Sequence, residues 1–354
     1  MKSCFFLAAA VLAVCSRTLA AQVSGTVVDS AGTPVSAAKV EVWSALRRSA
    51  ATTSDPSGRF SFGAPEVSDA TGLVVSRVGY QTRAVPLTGA DTALRVRLQA
   101  APVMLAGITS ATQPRDPCPN REDPRARSFW ESVRAKYPAV PDTLVFHSLG
   151  TIRSQQQDAS SIGEFGDERG SRQWTAATND AWPVWRRLIG SSGYAMPQAQ
   201  SVQPRYAYWR YVPLEDGFSQ HFVEEQFGAL HTLSIANSSG GYTTLAFCPR
   251  AGPRRSEVSG TLTVSPEGFL VRGTWRYRTP SPREDAGAEV DFVPPVATRQ
   301  SLLLVQSYLF WRRVQPRRYY VEAVEYEEWR LYPGANPPPV PADLYARPVR
   351  AGRH

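Results

Sequence analysis

The chain has 354 residues, with 39 lysines and arginines against 31 aspartates and glutamates, a formal charge of +8 and a hydrophobic fraction of 42%. Beyond the N-terminus no uncharged apolar segment reaches the roughly 20 residues that a membrane-crossing helix needs, which excludes a helical membrane protein. The basic excess is carried almost entirely by arginine; in an exported chain it would meet anionic headgroups and envelope polymers rather than nucleic acid, and scattered arginines read first as a solvated face.

Residues 1–20 have the anatomy of an export signal: Lys2, an apolar run over residues 5–14, and the small-residue end Thr18-Leu19-Ala20-Ala21. Cleavage near Ala20 or Ala21 is expected. The weaker alternative is a lipoprotein signal at Leu12-Ala13-Val14-Cys15, where Val14 occupies a position that such signals give to Gly, Ala or Ser. The expected location is outside the cytoplasm, in a periplasm or at an outer membrane.

Residues 23–82 describe a small β-sandwich. Val23-Ser24-Gly25-Thr26-Val27-Val28-Asp29 turns through Ser30-Ala31-Gly32-Thr33-Pro34, and alternation resumes at Val35, Ala38, Val40 and Val42. Asp55-Pro56-Ser57-Gly58 is a second turn, with Pro supplying φ near −65° and Gly relaxing the sterics, and Phe60 and Phe62 follow on one face. The last strand, from Leu73 to Thr82, closes the unit. These residues closely resemble the carboxypeptidase regulatory-like domain family over residues 22–99. The resemblance implies a transthyretin-like seven-strand sandwich, sometimes grouped with carbohydrate-binding-like folds, and a role as an accessory or binding module of unspecified ligand.

Residues 101–120 contain Pro102, Pro114, Pro117 and Pro119 and read as a linker. Asp123 as cap and Pro124 in the first turn then start a helix over residues 124–137, with Ala126, Phe129, Trp130, Val133 and Tyr137 on one stripe and Pro138 as its stop. With Cys4 and Cys15 removed in the signal, Cys118 and Cys248 remain as an even pair in an oxidising compartment and are expected to form a disulfide.

From residue 142 to residue 332 the period is mostly two. Val258, Leu262 and Val264 lead into Pro266-Glu267-Gly268, and Phe269, Val271, Trp275 and Tyr277 return, which is a hairpin. Further strands are predicted at residues 206–212, 219–227, 230–236, 243–247, 288–293, 302–312 and 319–331. Residues 154–180 read as a loop excursion, and residues 333–354, with Pro337-Pro338-Pro339, as a flexible tail. The expected architecture is therefore mainly β: a sandwich at 21–100, then an α+β domain at 121–332 in which a curved antiparallel sheet wraps one helix. In pattern, though not in motif, that second half resembles the half-barrel sheets of periplasmic lipoprotein-carrier proteins.

The chain has four histidines, His147, His221, His231 and His354. His221-Phe222-Val223-Glu224 has His-x-x-Glu spacing, which on a helix would give two metal ligands on one face. The alternating surroundings predict a strand, where positions i and i+3 diverge, so His221, Glu224 and His231 are not expected to form a metal site. In metallocarboxypeptidases carrying this sandwich it follows the catalytic domain, whereas here it comes first. Gly190-Ser191-Ser192-Gly193 and Ser238-Ser239-Gly240-Gly241 are turn sequences rather than nucleophile elbows. Neither catalysis nor a cofactor is expected.

Aromatic surface remains. Tyr206-Ala207-Tyr208-Trp209-Arg210-Tyr211 places rings on both faces of one strand, so Tyr206, Tyr208, Trp209 and Tyr211 are candidates for stacking on sugar rings. The leading expectation is a non-catalytic exported cell-envelope protein binding carbohydrate or another envelope polymer, with peripheral envelope association. One alternative is a periplasmic lipid or protein carrier with a groove lined by Leu302, Leu303, Leu304, Val305 and Leu309; another is a metal-dependent hydrolase centred on His221.

Overall fold

The computed structural model describes residues 23–88, 93–100, 118, 122–141, 144–166, 170–178, 182–199, 207–215, 219–250, 257–279, 284–298 and 302–333. The predicted export signal, the predicted linker at residues 101–120 apart from Cys118, and the predicted tail beyond residue 333 lie outside the described residues.

The N-terminal unit is a sandwich of seven strands. Strands β1 (Val23–Val28), β4 (Arg59–Phe62) and β7 (Leu94–Arg97) form one sheet in the order β4-β1-β7, with β1 and β7 parallel. Strands β2 (Lys39–Ser44), β3 (Arg47–Thr53), β5 (Gly72–Ser76) and β6 (Arg83–Pro86) form the other, ordered β3-β2-β5-β6, and a single helical turn, α1 (Ala64–Val67), follows β4. The turns form as the sequence predicts. Asp29 Oδ1 accepts from the backbone N–H of Ala31 and Thr33, each at 2.8 Å, and Asp55 Oδ1 does the same for Ser57 and Arg59. Gly58 has φ of +74°, and a Cβ there would lie 2.4 Å from the carbonyl oxygen of Val27, so both conformation and space require glycine. Val27, Val40, Val42, Leu73, Val75 and Leu98 fill the space between the sheets.

The second unit begins with α2 (Pro124–Arg134), capped by Asp123 accepting from Arg125 N at 2.9 Å. Strands β8 (Leu144–Asp158) and β9 (Ser171–Thr178), helix α3 (Trp182–Ser192), the pair β10 (Ala195–Ala199) and β11 (Ala207–Tyr211), a 3₁₀ turn at Ser219–Val223 and α4 (Glu225–Leu230) follow. Then comes an antiparallel meander: β12 (His231–Ser239), β13 (Tyr242–Pro249), β14 (Glu257–Val264), β15 (Leu270–Arg278), β16 (Ala286–Val293), α5 (Pro295–Thr298), β17 (Leu304–Gln315) and β18 (Arg318–Pro333). Each strand pairs with the next, and β18 then pairs with β8, which pairs with β9. The α2 stripe packs as its periodicity requires: Ala126, Trp130 and Val133 are buried, and the Trp130 indole donates to the Phe222 carbonyl at 3.0 Å. Cys118 and Cys248 are bonded, with Cα atoms 5.4 Å apart.

Three local predictions are corrected. The strand expected at residues 219–227 is the 3₁₀ turn followed by α4. Its apolar residues face core on several sides at once, with Phe222 and Phe227 both fully buried, so tertiary burial overrides the two-residue period. The loop expected at residues 154–180 instead carries the end of β8 and all of β9; its polar side chains lie on strands held by a 15-residue pairing of β8 with β18. Finally, α2 is not the only long helix. In α3, Gly190, Ser191 and Ser192 continue the helix, which stops at Gly193, where φ is +87° and the N–H reaches the Ile189 carbonyl at 3.1 Å.

The two units meet edge to edge and face to face. The β18 backbone pairs with β3 at Glu328 and Arg47, and Trp329 N donates to the Leu46 carbonyl at 2.8 Å. The outer face of the sandwich sheet, carrying Trp43, Val74 and Ala84, belongs to the same hydrophobic core as Ala297, Leu302 and Trp329. A Cβ at Gly72 would lie 2.6 Å from Ala297 Cα, which fixes how closely α5 approaches β5.

Candidate functional site

The seam between sandwich and sheet holds a cluster of paired charges. Glu41, on β2, is fully buried. A carboxylate can stay there only with partners that replace its water. Arg48 Nη1 lies 2.8 Å and Lys39 Nζ 2.9 Å from its Oε1, and Gln306 Nε2, reaching over from β17, donates to its Oε2. Lys39 and Arg48 also donate to Glu325 on β18. Burial works to raise the Glu325 carboxyl, but the two cations outweigh it and hold its pKa down at about 2.

Beside this hub lies a cleft of about 350 Å³, built from Arg47, Arg48 and Ser49 of the sandwich and Leu149, Arg172, Glu327, Glu328 and Arg330 of the sheet. Three of its four arginines are held by acids. Arg172 donates through Nε and Nη2 to Glu327 Oε2 at 3.0 and 2.8 Å, and Arg48 Nη2 is 3.5 Å from Glu327 Oε1. Arg330 donates to Glu328 Oε1 at 2.7 Å and lies 4.6 Å over the ring of Trp174, a cation–π contact. Arg47 is exposed and pairs with no acid among the described residues. A smaller polar cavity of about 100 Å³ lies on the other side of Glu325, lined in part by Lys39, Asp291 and Gln306. Gln306 Oε1 is buried there without a hydrogen-bond partner. The strands thus present guanidinium donors and carboxylate acceptors side by side at fixed positions, a pattern that suits neighbouring hydroxyl groups.

None of these residues was singled out as a site from the sequence. The one signal was Lys39-Val40-Glu41-Val42-Trp43, where a carboxylate shares its strand face with a tryptophan and so cannot simply face water.

The predicted stacking residues have a different fate. Tyr206 lies outside the described residues, and the side chains of Tyr208 and Trp209 on β11 are likewise not described. Tyr211 is core: it is buried, its ring centroid is 4.9 Å from that of Tyr277, and its hydroxyl donates to Glu284 Oε2 at 2.9 Å. Burial, with Glu284 alongside, raises its pKa. Tyr211 therefore offers no free ring face for a sugar.

Because Ser219–Val223 form a 3₁₀ turn, His221 and Glu224 meet where a strand would have separated them. His221 Nδ1 is 3.4 Å from Glu224 Oε2, its Nε2 is 2.9 Å from the Tyr194 hydroxyl, and Arg186 holds Glu224 Oε1 at 3.0 Å. His231 does not join them. Its Nδ1 donates to the Phe227 carbonyl at 2.8 Å. Both imidazoles are buried, which lowers their pKa values, that of His231 to about 3. No three His, Cys, Asp or Glu side chains converge on a metal position among the described residues.

Comparison with known proteins bears on the first unit. Residues 22–99 match the model of the carboxypeptidase regulatory-like domain, and this part of the chain is such a domain. No curated protein matches the chain. Among solved structures, a LolA superfamily protein from Nitrosomonas europaea aligns with 11% identity over 63% of this chain and 97% of its own, at a TM-score of 0.26.

Proposed function

We propose that this is an exported cell-envelope protein that acts by binding, and that its ligand is a hydroxyl-rich envelope polymer, a carbohydrate, held in the arginine-lined cleft at the seam. The observation that carries this reading is the locking of Arg172 and Arg330 by Glu327 and Glu328. Paired in this way, the guanidiniums present fixed donors beside fixed acceptors, and little side-chain entropy is left to lose on binding. Trp174 lies under Arg330 and stiffens one wall. In this reading the carboxypeptidase regulatory-like domain supplies one side of the site rather than a spacer.

Co-sedimentation with purified peptidoglycan and envelope polysaccharides tests it. Saturable binding is expected, weakened about tenfold in Arg172→Ala and Arg330→Ala, the loss of one good hydrogen-bonded contact. Full binding by the double variant would reject the cleft as the site. The carrier reading has less support: Leu302, Leu303, Leu304 and Val305 are packed in the main core, while Leu309 packs in a separate cluster with Trp311 and Tyr319.

A further inference from the structure

The hairpin of β17 and β18 ends in Arg312-Arg313-Val314-Gln315-Pro316-Arg317-Arg318, with residues 314–318 all exposed. Gln315 pairs with Arg318, which leaves Pro316 and Arg317 as the two turn residues. Arg317 has φ of +69°. That is the left-handed region, which a turn position following proline ordinarily gives to Gly or Asn. An arginine placed there costs some backbone energy while carrying a guanidinium at the extreme tip.

The surroundings are basic as well. Arg313 lies 3.3 Å and Arg276 3.9 Å from the same carboxylate, Asp285; Arg318 is 3.9 Å from Asp158; and Arg312 lies over the Tyr320 ring. Three of these guanidiniums, those of Arg276, Arg313 and Arg318, lie within 4 Å of a carboxylate, and Arg317 pairs with no acid among the described residues. Val314 is one of the few large apolar side chains left exposed. Beneath the tip, Trp311, Tyr319 and Val321 pack with Ile162 and Phe165, so the hairpin has a core of its own. The tip is ten residues along β18 from Glu328, about 30 Å at strand rise, so it is separate from the seam cleft.

We propose that this hairpin tip docks the protein on a bilayer surface carrying anionic phospholipids, with the guanidiniums taking lipid phosphates and Val314 entering the headgroup layer. Guanidinium forks match phosphate oxygens in pairs, and basic side chains close to an anionic bilayer add their attractions together.

The test is co-sedimentation of the purified chain with vesicles of phosphatidylcholine alone and of phosphatidylcholine with phosphatidylglycerol. Binding is expected only to the anionic vesicles, falling as salt rises, and reduced about tenfold or more by Arg317→Glu with Arg318→Glu. Arg317→Gly separates folding from docking: glycine suits the +69° backbone, so its unfolding midpoint should equal or exceed that of the parent while vesicle affinity falls severalfold. Equal binding to both vesicles, no binding to either, or unchanged binding by the charge-reversed variant would each overturn the proposal.

Discussion

Glu41 of the sandwich and Gln306 of the sheet are joined by a side-chain hydrogen bond in which both partners are buried, although 265 residues separate them in the chain. With Arg48 and Lys39 satisfying the other carboxylate oxygen, the seam is held around a carboxylate that water does not reach. Breaking such a network leaves a buried charge uncompensated, which costs more than the network contributes over apolar packing.

Arg48→Ala should therefore destabilise the protein by about 3 kcal/mol, since it strips Glu41 and Glu325 of a shared donor. Urea unfolding checks it. A cycle with Glu325→Ala should show coupling between the two positions, and strict additivity would mean that the contact across the seam contributes nothing.

Acid should act on the buried imidazoles before it acts on the seam. The folded pKa of His231 is about 3, below the ordinary 6.5, so the unfolded chain binds the proton first. Stability is then fully present above pH 6.5 and is lost as pH falls toward 3, by about 4 to 5 kcal/mol for this group alone. His221 titrates with the same sign. Glu325 contributes in a lower window: its stabilisation is present above its ordinary 4.5 and is lost as pH falls through about 2. Urea midpoints measured from pH 7 to pH 4.5 should fall in the parent and fall less in His231→Leu. Equal slopes in the two proteins would contradict the assignment.

Replacing Cys118 and Cys248 by serine opens a bond spanning 130 residues and should cost about 2 to 5 kcal/mol. Thermal unfolding of the parent with reductant should converge on the double variant. The bond sits just ahead of α2, whose Asp123 N donates to the Leu233 carbonyl at 2.9 Å, so loss of ordered amides should appear first at the start of that helix.

Gly193→Ala should cost about 1 kcal/mol, because φ of +87° at the end of α3 disfavours a side chain. Gly190→Ala, in the helix interior with no contact to its Cβ closer than 3.5 Å, should be neutral or stabilising. The opposite order of the two melting temperatures would contradict the helix stop.

The parts legible in the sequence were those set by neighbours in the chain. Asp29, Asp55 and Gly58 make turns from their own segments, and Asp123 and Pro124 start a helix wherever they stand. The misread parts depend on distant contacts. Residues 219–227 alternate like a strand, yet Phe222 and Phe227 pack against rings of β13 and β15 and not against a sheet neighbour. The site was harder still. Arg47, Arg172 and Arg330 look like solvated arginines until β3, β9 and β18 converge, and the Tyr206–Tyr211 stripe that looked like a binding face places Tyr211 in the core.

The junction of β3 with β18 also bears on how the molecule comes apart. A module on a tether melts by itself, but here Trp43, Val74 and Ala84 have the second unit as their interior and Glu41 takes its amide donor from there. Cutting at the boundary of the family match would expose three apolar side chains and take from Glu41 its Gln306 donor. Calorimetry of the whole chain should accordingly show one cooperative endotherm, with the family domain and the sheet losing structure in a single step.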